Sequence, residues 1–283
     1  IVDDVNDVVL EKVFQQVQGG IVTLVSSSID GIQGNNWSNS PVFLPDGIHV
    51  AFMSYASNLI PDDTNNTTDI FVKNIQTGAI ERLSVALNGA QLNDASNEFI
   101  LSADGTKMAF SSQASNLVQG DTNGQSDIFV KDLITGSVVL VSTTTNGTQA
   151  NRSSQDFAFS SDGKKIAFVG FASNLVPNDT NNFGDVFVKD LITGVTTRIS
   201  TTTNGGQANN YSRGPSFSPD GTKVVFQSDA SNLVENDTNS GSDIFIKDLI
   251  TGNLTRISTA SDGAQANRFS YGSIFSPDGK KVA

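Results

Sequence analysis

The chain has 283 residues, of which 37% are hydrophobic and 16% are charged, a composition typical of a globular protein rather than a disordered one. Acidic residues outnumber basic ones by 29 to 17, and the net charge of -12 excludes nucleic acid or an anionic membrane as the main partner. The absence of cysteine excludes disulfides and Cys-ligated zinc, and one histidine, His49, leaves no His-rich metal site.

Three sequence markers recur along the chain at a constant spacing of 58 residues. A turn of the Pro-Asp-Gly type has its acidic residue at Asp46, Asp104, Asp162, Asp220 and Asp278. An acidic loop begins at Asp63, Asp121, Asp179 and Asp237. A Gln-x-Asn marker has its first residue at Gln33, Gln91, Gln149, Gln207 and Gln265. Because the three markers keep the same phase, the chain is predicted to repeat one structural unit.

The first 26 residues are predicted to form an N-terminal half-unit, with strands at 12–17 and 21–26 in phase with the third and fourth strands of the later units. The apolar spacing over residues 5–17 also suits a short amphipathic helix. The first twenty residues are acidic and lack a basic start, so no signal peptide is predicted. No apolar run reaches membrane-spanning length, and membrane insertion is not expected.

Four full units follow over residues 27–258, and the fourth shows the predicted strands most clearly. Strand A is predicted at 215–218, strand B at 223–228, strand C at 243–248 and strand D at 254–258. Pro219 fixes φ and Gly221 accepts a positive φ, so the turn between A and B favours a hairpin. A long loop over 229–242 separates B from C, and residues 259–283 form a C-terminal half-unit.

Strands B and C are nearly continuous apolar runs, Val224-Val225-Phe226 and Ile244-Phe245-Ile246 in the fourth unit. Such runs are typical of strands buried on both faces. The prediction is an all-β single domain over 1–283, a β-propeller of four-stranded antiparallel blades. The two half-units are expected to join into a fifth blade that closes the ring, with six blades as the alternative. A solenoid usually has shorter coils, and a sandwich has no reason to keep a fixed period.

The strings SFSPDGTKVVFQS and IFSPDGKKVA resemble the repeats of TolB-like, WD-repeat-like β-propellers, once per unit from about residue 21 onward. The resemblance implies a bacterial protein, periplasmic or extracellular, that serves as an interaction platform. Some members of the family are attached to peptidases or act on polysaccharides. The family's units are nearer about forty residues, so this chain departs by a longer B–C loop, which holds the acidic motif.

The acidic loops read DTNNTTD, DTNGQSD, DTNNFGD and DTNSGSD. Calcium takes six to eight oxygen ligands, often from alternate loop positions, and the loops are predicted to bind about four calcium ions. The alternative is that Asp-Thr-Asn folds through Asx-turns without metal. The predicted ligands are Asp63, Asn65, Thr67 and Asp69; Asp121, Asn123, Gln125 and Asp127; Asp179, Asn181, Phe183 and Asp185; and Asp237, Asn239, Gly241 and Asp243, with the fifth loop position supplying its backbone carbonyl.

The B–C loops and the D–A connections are expected at the same end of the sheets, which makes that end the candidate binding surface. Repeated Gln and Asn residues are expected to satisfy backbone groups there. The candidate ligand residues are those that vary between units: Trp37, Arg152, Tyr211, Arg213, Arg268, Phe269 and Tyr271.

These features predict a calcium-stabilised scaffold that binds a protein or a glycan outside the cytoplasm. The alternative is the propeller of a polysaccharide-processing enzyme or peptidase whose chemistry lies elsewhere. No enzymatic activity is predicted for the chain itself, because a glycosidase needs one unique carboxylate pair and here the pair recurs in every unit. The sequence leaves the oligomeric state open.

Overall fold

The computed structural model describes residues 22–283, and these form sixteen β-strands with no helix among them. The strands are β1 (Ser38–Phe43), β2 (His49–Ser54), β3 (Asp69–Asn74), β4 (Ile80–Arg82), β5 (Ser96–Leu101), β6 (Lys107–Ser112), β7 (Asp127–Asp132), β8 (Val138–Leu140), β9 (Ser154–Phe159), β10 (Lys165–Gly170), β11 (Asp185–Asp190), β12 (Thr196–Arg198), β13 (Ser212–Phe217), β14 (Lys223–Ser228), β15 (Asp243–Asp248) and β16 (Leu254–Arg256).

The strands form four sheets of four, each ordered as the strands follow one another in the chain: β1 to β4, β5 to β8, β9 to β12 and β13 to β16. Neighbouring strands pair antiparallel, for example β14 with β15 from Lys223↔Asp248 to Ser228↔Asp243. Strands B and C of the fourth repeat have the predicted bounds. Strand A begins three residues earlier than predicted, at Ser212, and strand D ends two residues earlier, at Arg256.

Two compact units make up the chain. The first runs to Phe99 and includes Ser112–Asp121; it contains the sheet β1 to β4. The second comprises Ile100–Ser111 and Thr122–Ala283; it contains the sheets β9 to β12 and β13 to β16.

The central strands B and C are buried on both faces, as their continuous apolar sequence predicted. At the centre of each sheet one phenylalanine of strand B packs on one of strand C. Phe168 and Phe187, for example, are directly paired across β10 and β11 with ring centroids 5.6 Å apart, and both are fully buried. Burying each such side chain contributes about 1.5–3 kcal/mol to folding.

The Pro-Asp-Gly turn between strands A and B is held by its aspartate. In the fourth repeat Asp220 Oδ1 accepts hydrogen bonds from Ser218 Oγ (2.6 Å) and from the backbone N–H of Thr222 (3.0 Å). Gly221 has a φ of 68°, which a residue without Cβ adopts freely. The predicted hairpin turn is therefore confirmed.

Buried lysines on strand C connect successive repeats. Lys189 Nζ donates to Thr143 Oγ1 (2.9 Å), to the carbonyl of Thr144 (3.1 Å) and to Thr196 Oγ1 (3.0 Å). Burial lowers the pKa of Lys189, because the charged ammonium loses hydration. Lys73 and Lys247 make the corresponding contacts with Ser27 and Thr201. The bonds to Ser27, Thr143, Thr144 and Thr201 tie a strand C to the D–A connection that precedes its own repeat, whereas Thr196 belongs to strand D of the same sheet.

The fifth blade expected from the two chain ends is not confirmed. Its predicted strand at 12–17 lies outside the described residues, and residues 22–26 carry no strand. At the other end Phe275 and Val282 form an isolated antiparallel bridge, closed by hydrogen bonds between Ile274 and Ala283. Residues 22–283 therefore contain four complete sheets and the beginning of a further hairpin.

Candidate functional site

Each acidic loop lies between strands B and C and curls through an Asx-turn. In the first repeat Asn65 Oδ1 accepts from the backbone N–H of Thr67 (3.1 Å). The same bond recurs from Asn123 to Gln125, from Asn181 to Phe183 and from Asn239 to Gly241. The amide nitrogen of Asn65 points at the second carboxylate, Asp69, at 3.4 Å. The loop thus has the Asx-turn geometry that its Asp-Thr-Asn sequence allows.

The carboxylates of three loops lie against a buried arginine from strand D. Arg82 Nη2 is 3.7 Å from Asp63 Oδ1, and Arg82 Nε is 3.3 Å from Asp69 Oδ2. All three side chains are almost completely buried, and Asp69 is fully buried. Arg198 and Arg256 hold the same place in the third and fourth repeats, at 3.5–3.6 Å from both carboxylates.

A glutamine and a serine complete the surroundings of each carboxylate pair. Gln91 Nε2 donates to Asp63 Oδ1 (2.9 Å), while its Oε1 accepts from the backbone N–H of Thr64 (3.1 Å). Ser84 Oγ donates to Asp69 Oδ1 (2.7 Å). Gln91 belongs to the D–A connection that follows, so the repeated Gln joins that connection to the acidic loop.

The second repeat differs at the place of the arginine, because residue 140 is leucine. The carboxylate of Asp127 is fully buried there. It accepts hydrogen bonds from Ser142 Oγ (2.5 Å), Gln149 Nε2 (2.8 Å) and Asn123 Nδ2 (2.8 Å). In the first and third repeats the second carboxylate receives the same neutral serine, glutamine and asparagine donors, so the second repeat differs from them in the missing guanidinium.

Burial is the largest influence on the pKa of Asp69 and of Asp185. It raises the pKa of Asp69 and of Asp185, because an ionised carboxylate loses hydration in the sheet interior. Hydrogen bonds from Ser84 and Ser200 oppose that rise, as do the charges of Arg82 and Arg198. The charges of the arginines and the serine hydroxyls therefore limit the rise in pKa that burial causes in these two carboxylates.

In the first, third and fourth repeats, these surroundings do not fit a calcium ion between the carboxylates. A guanidinium already supplies positive charge beside both carboxylates in each of these repeats. A divalent cation there would face an arginine within a few ångströms, a like-charge contact in a poorly hydrated place. Among residues 22–283 no group of three or more acidic or histidine side chains is gathered in one place.

The Ala-Ser-Asn-Leu segment before each acidic loop is bonded to the Gln-x-Asn marker. Asn58 Nδ2 donates to the carbonyl of Gln33 (2.9 Å), and Asn58 Oδ1 accepts from the N–H of Asn35 (2.8 Å). Asn35 Oδ1 in turn accepts from the N–H of Ser57 (3.0 Å). The same pattern recurs with Asn116, Asn174 and Asn232. The repeated amides therefore satisfy loop backbone, as the sequence predicted.

The residues that vary between repeats are mostly exposed. Trp37 is 39% exposed and stacks on Tyr55 with ring centroids 5.9 Å apart. Tyr211, 40% exposed, has Phe183 edge-on at 4.9 Å and Phe171 at 6.3 Å. Arg213 pairs with Asp229 at 2.6 Å. Arg152, Arg268, Phe269 and Tyr271 are also exposed. The structure thus gathers Tyr211 and Arg213 into one group and gives Trp37 a stacking partner.

Solved structures similar to this chain include TolB proteins and prolyl endopeptidases. A putative TolB from Agrobacterium tumefaciens aligns over 88% of this chain and 70% of its own, with 20% identity and a TM-score of 0.51. A structure of prolyl endopeptidases aligns over 83% of this chain and 31% of its own, with 12% identity and a TM-score of 0.50. The fold is that of a TolB-like β-propeller.

TolB from Acinetobacter baumannii aligns over 87% of this chain with 22% identity and a TM-score of 0.49, and the chain spans about half, 48%, of that protein. No family model matches the sequence, and no curated protein matches it. No helix in residues 22–283 has the length and apolar character to cross a membrane.

His49 of this TolB-like propeller lies at the A–B turn, at the other end of its sheet from the long loops. Its Nδ1 is 2.6 Å from Asp46 Oδ2, and its Nε2 is 3.2 Å from Asn74 Nδ2. The hydrogen bond with His49 is the main reason that the pKa of Asp46 falls to about 2. The chain's one histidine is therefore the first residue of β2, and it is hydrogen-bonded to the A–B turn.

Sequence reasoning missed the arginines beside the acidic loops, although their signal is present. The sequence Arg-x-Ser occurs at residues 82–84, 198–200 and 256–258, in phase with the 58-residue repeat, and its arginine is the last residue of strand D. The oxygen donors of the loop do not themselves indicate this arginine, because it lies on another element. Asp229 and Tyr55 were also missed. They occupy the first position of the B–C loop, and the residue at that position differs in every repeat.

Proposed function

We propose that this TolB-like propeller is a non-catalytic binding scaffold whose ligand meets the long-loop side, the end of the sheets that carries the B–C loops and D–A connections. One observation carries the proposal. Polar residues that recur in every repeat are bonded to one another, whereas the aromatic and arginine residues that vary are exposed. Exposed variable groups on loops held by a rigid scaffold are typical of binding sites.

The carboxylate pairs do not support catalysis by this chain. Proton transfer or nucleophilic attack needs a carboxylate that reaches the substrate, and Asp69, Asp185 and Asp243 are fully buried. The alternative is that the chain is the propeller of a larger peptidase or polysaccharide-processing enzyme. In that case the variable residues would contact the substrate, and the bond-breaking groups would lie on another domain.

A glycan array with matched variants tests the scaffold function. In the first variant Trp37, Arg152, Tyr211 and Arg268 are replaced by serine. In the control variant Ile134, Ile192 and Ile250, which are exposed at the opposite end of the sheets, are replaced by serine. We expect the wild type and the control to bind the same glycans and the first variant to lose them. Turnover of polygalacturonate by the purified chain would contradict a non-catalytic role.

Calcium binding is proposed for the second repeat, where leucine replaces the arginine. A cation near Asp127 would there supply the charge that Arg82, Arg198 and Arg256 supply elsewhere. A bacterial periplasmic or extracellular setting, which the family resemblance implies, would provide calcium for a site of modest affinity. A cation that binds only the folded chain raises its stability.

Thermal unfolding with calcium and with EDTA tests this proposal. We expect EDTA to lower the Tm of the wild type and to leave the Tm of Leu140→Arg unchanged, because the introduced guanidinium takes over the charge. Arg256→Leu, which gives the fourth repeat the residue of the second, is expected to increase the calcium dependence. A wild-type Tm that is equal in calcium and in EDTA rules out the proposed site.

A further inference from the structure

The fourth repeat departs from the other three at one place on the long-loop side. Four polar residues meet there: Arg213 at the start of strand A, Gln227 near the end of strand B, Asp229 just after it, and Ser242 before strand C. In the other repeats the position of Arg213 holds Asn39, Asn97 or Gln155. The position of Asp229 holds Tyr55, Gln113 or Phe171. The cluster is therefore specific to one repeat, unlike the carboxylate pairs.

The cluster is organised around the ion pair. Arg213 Nη2 is 2.6 and 2.7 Å from the two oxygens of Asp229 and 3.2 Å from Ser242 Oγ. Ser242 Oγ also donates to Asp229. With its amide oxygen toward the guanidinium, Gln227 accepts from Arg213 Nε (3.1 Å). Multiple partners fix both charged groups in one orientation, while their side chains stay 43% and 26% exposed.

An aromatic group adjoins this cluster. The carbonyl of Tyr211 accepts from the N–H of Asp229 (2.8 Å), which fixes the backbone of Tyr211 next to the ion pair. Its ring is supported at the edge by Phe183 and Phe171 and remains 40% exposed. This part of the surface therefore combines the exposed ring of Tyr211 with a fixed hydrogen-bond donor, Arg213, and a fixed acceptor, Asp229.

We infer that the Tyr211–Arg213–Asp229 cluster binds a neutral sugar ring, an inference that rests on the proposed scaffold function. A pyranose has an apolar C–H face that packs on an aromatic ring and hydroxyls that both donate and accept. Asp229 would accept from a hydroxyl and Arg213 would donate to one. An acidic sugar is disfavoured by Asp229 and by the net charge of -12, and a cationic peptide is disfavoured by Arg213.

Isothermal titration with neutral oligosaccharides tests the inference on the full chain. The probes are cellohexaose, maltohexaose and N-acetylchitohexaose. Tyr211→Ala removes the ring, and Asp229→Asn removes the acceptor charge at constant shape. Ile250→Ala is the matched control, because it removes an exposed apolar side chain from the same repeat at the other end of the sheet. Circular dichroism confirms that each variant is folded.

We expect one of these sugars to bind the wild type and Ile250→Ala equally, and to bind Tyr211→Ala and Asp229→Asn at least tenfold more weakly. Sugar binding that survives both substitutions but is lost in Trp37→Ala overturns the assignment to this cluster and leaves the scaffold function standing. A wild type that binds none of the three neutral sugars also overturns the inference. Turnover of polygalacturonate remains the separate result that contradicts the scaffold function itself.

Discussion

Replacing Arg82 by leucine is expected to destabilise the chain by about 3–5 kcal/mol, the usual cost of removing one partner of a buried ion pair. The guanidinium lies 3.7 and 3.3 Å from two carboxylates, of which Asp69 is fully buried. At an effective dielectric constant near 20, each attraction at such distances is about 4 kcal/mol before desolvation is subtracted. Leucine leaves the repulsion between Asp63 and Asp69 without a compensating charge.

Urea and thermal unfolding at pH 7 measure this effect. For a protein of this size the loss corresponds to a Tm decrease of about 6–20 °C. Arg152→Leu is the control, because that arginine is exposed, and surface substitutions are usually within about 0.5 kcal/mol. A loss for Arg82→Leu no larger than that of Arg152→Leu would refute the role assigned to the buried arginine.

The loss of free energy of unfolding caused by Arg82→Leu is expected to grow as the pH rises from 4 to neutral. Burial raises the pKa of Asp69 above its ordinary 3.8, and loss of the arginine raises it further. A group with a raised folded-state pKa stabilises the folded chain below its unfolded-state pKa and loses that contribution as the pH rises through the folded-state value. The free energy of unfolding of Arg82→Leu therefore differs most from that of the wild type at neutral pH, and the difference becomes smaller toward pH 4. A deficit that widens on acidification would contradict this reasoning.

Two further substitutions test the hydrogen bonds of the fold. Ser218→Ala is expected to raise the pKa of Asp220 from about 2 toward 3.8, since the Ser218 hydroxyl is the main cause of the lowered value. A carboxyl-detected NMR titration measures it, with Asp104, also about 2, as internal control, and an unchanged Asp220 would contradict the assignment. Because its folded-state pKa is lowered, the stability contributed by Asp220 is present above pH 4 and is lost as the pH falls through 2. Lys189→Met keeps the apolar stem of the lysine but removes its hydrogen bonds to Thr143, Thr144 and Thr196, and is expected to cost about 1.5–3 kcal/mol in urea unfolding. An unchanged urea midpoint would show that the ammonium does not connect the repeats.

The periodic features of the fold could be predicted because each depends on residues close together in sequence. Pro219, Asp220 and Gly221 have the backbone preferences of a hairpin turn whatever surrounds them. The runs Val224–Phe226 and Ile244–Ile246 are apolar at every position, so they are buried on both faces. The repeated Asn of the acidic loop also forms an Asx-turn from its own side chain. The spacing of 58 residues then placed the same elements four times.

The charges around the acidic loop could not be predicted from the loop itself. Asp63, Asp69 and Arg82 lie within 20 residues in sequence, but they meet only because strands C and D pair beside the loop. Gln91 reaches the same carboxylates from a different connection. The oxygen donors of the loop predicted calcium, and only tertiary contacts place a guanidinium beside the carboxylates in three repeats. The predicted fifth blade likewise depends on pairing between the two ends of the chain, and the N-terminal strand of that pair lies outside the described residues.

The repeat, the strands and the turns of this protein can be predicted from its sequence, because they follow from local backbone preference and from the burial of apolar runs. The roles of the repeated polar residues depend on contacts between elements that are distant in sequence. Whether Asp69 faces a cation, a guanidinium or water depends on side chains that the fold brings to it. The same holds for Arg213 and Asp229, sixteen residues apart in sequence and joined in one ion pair across two strands.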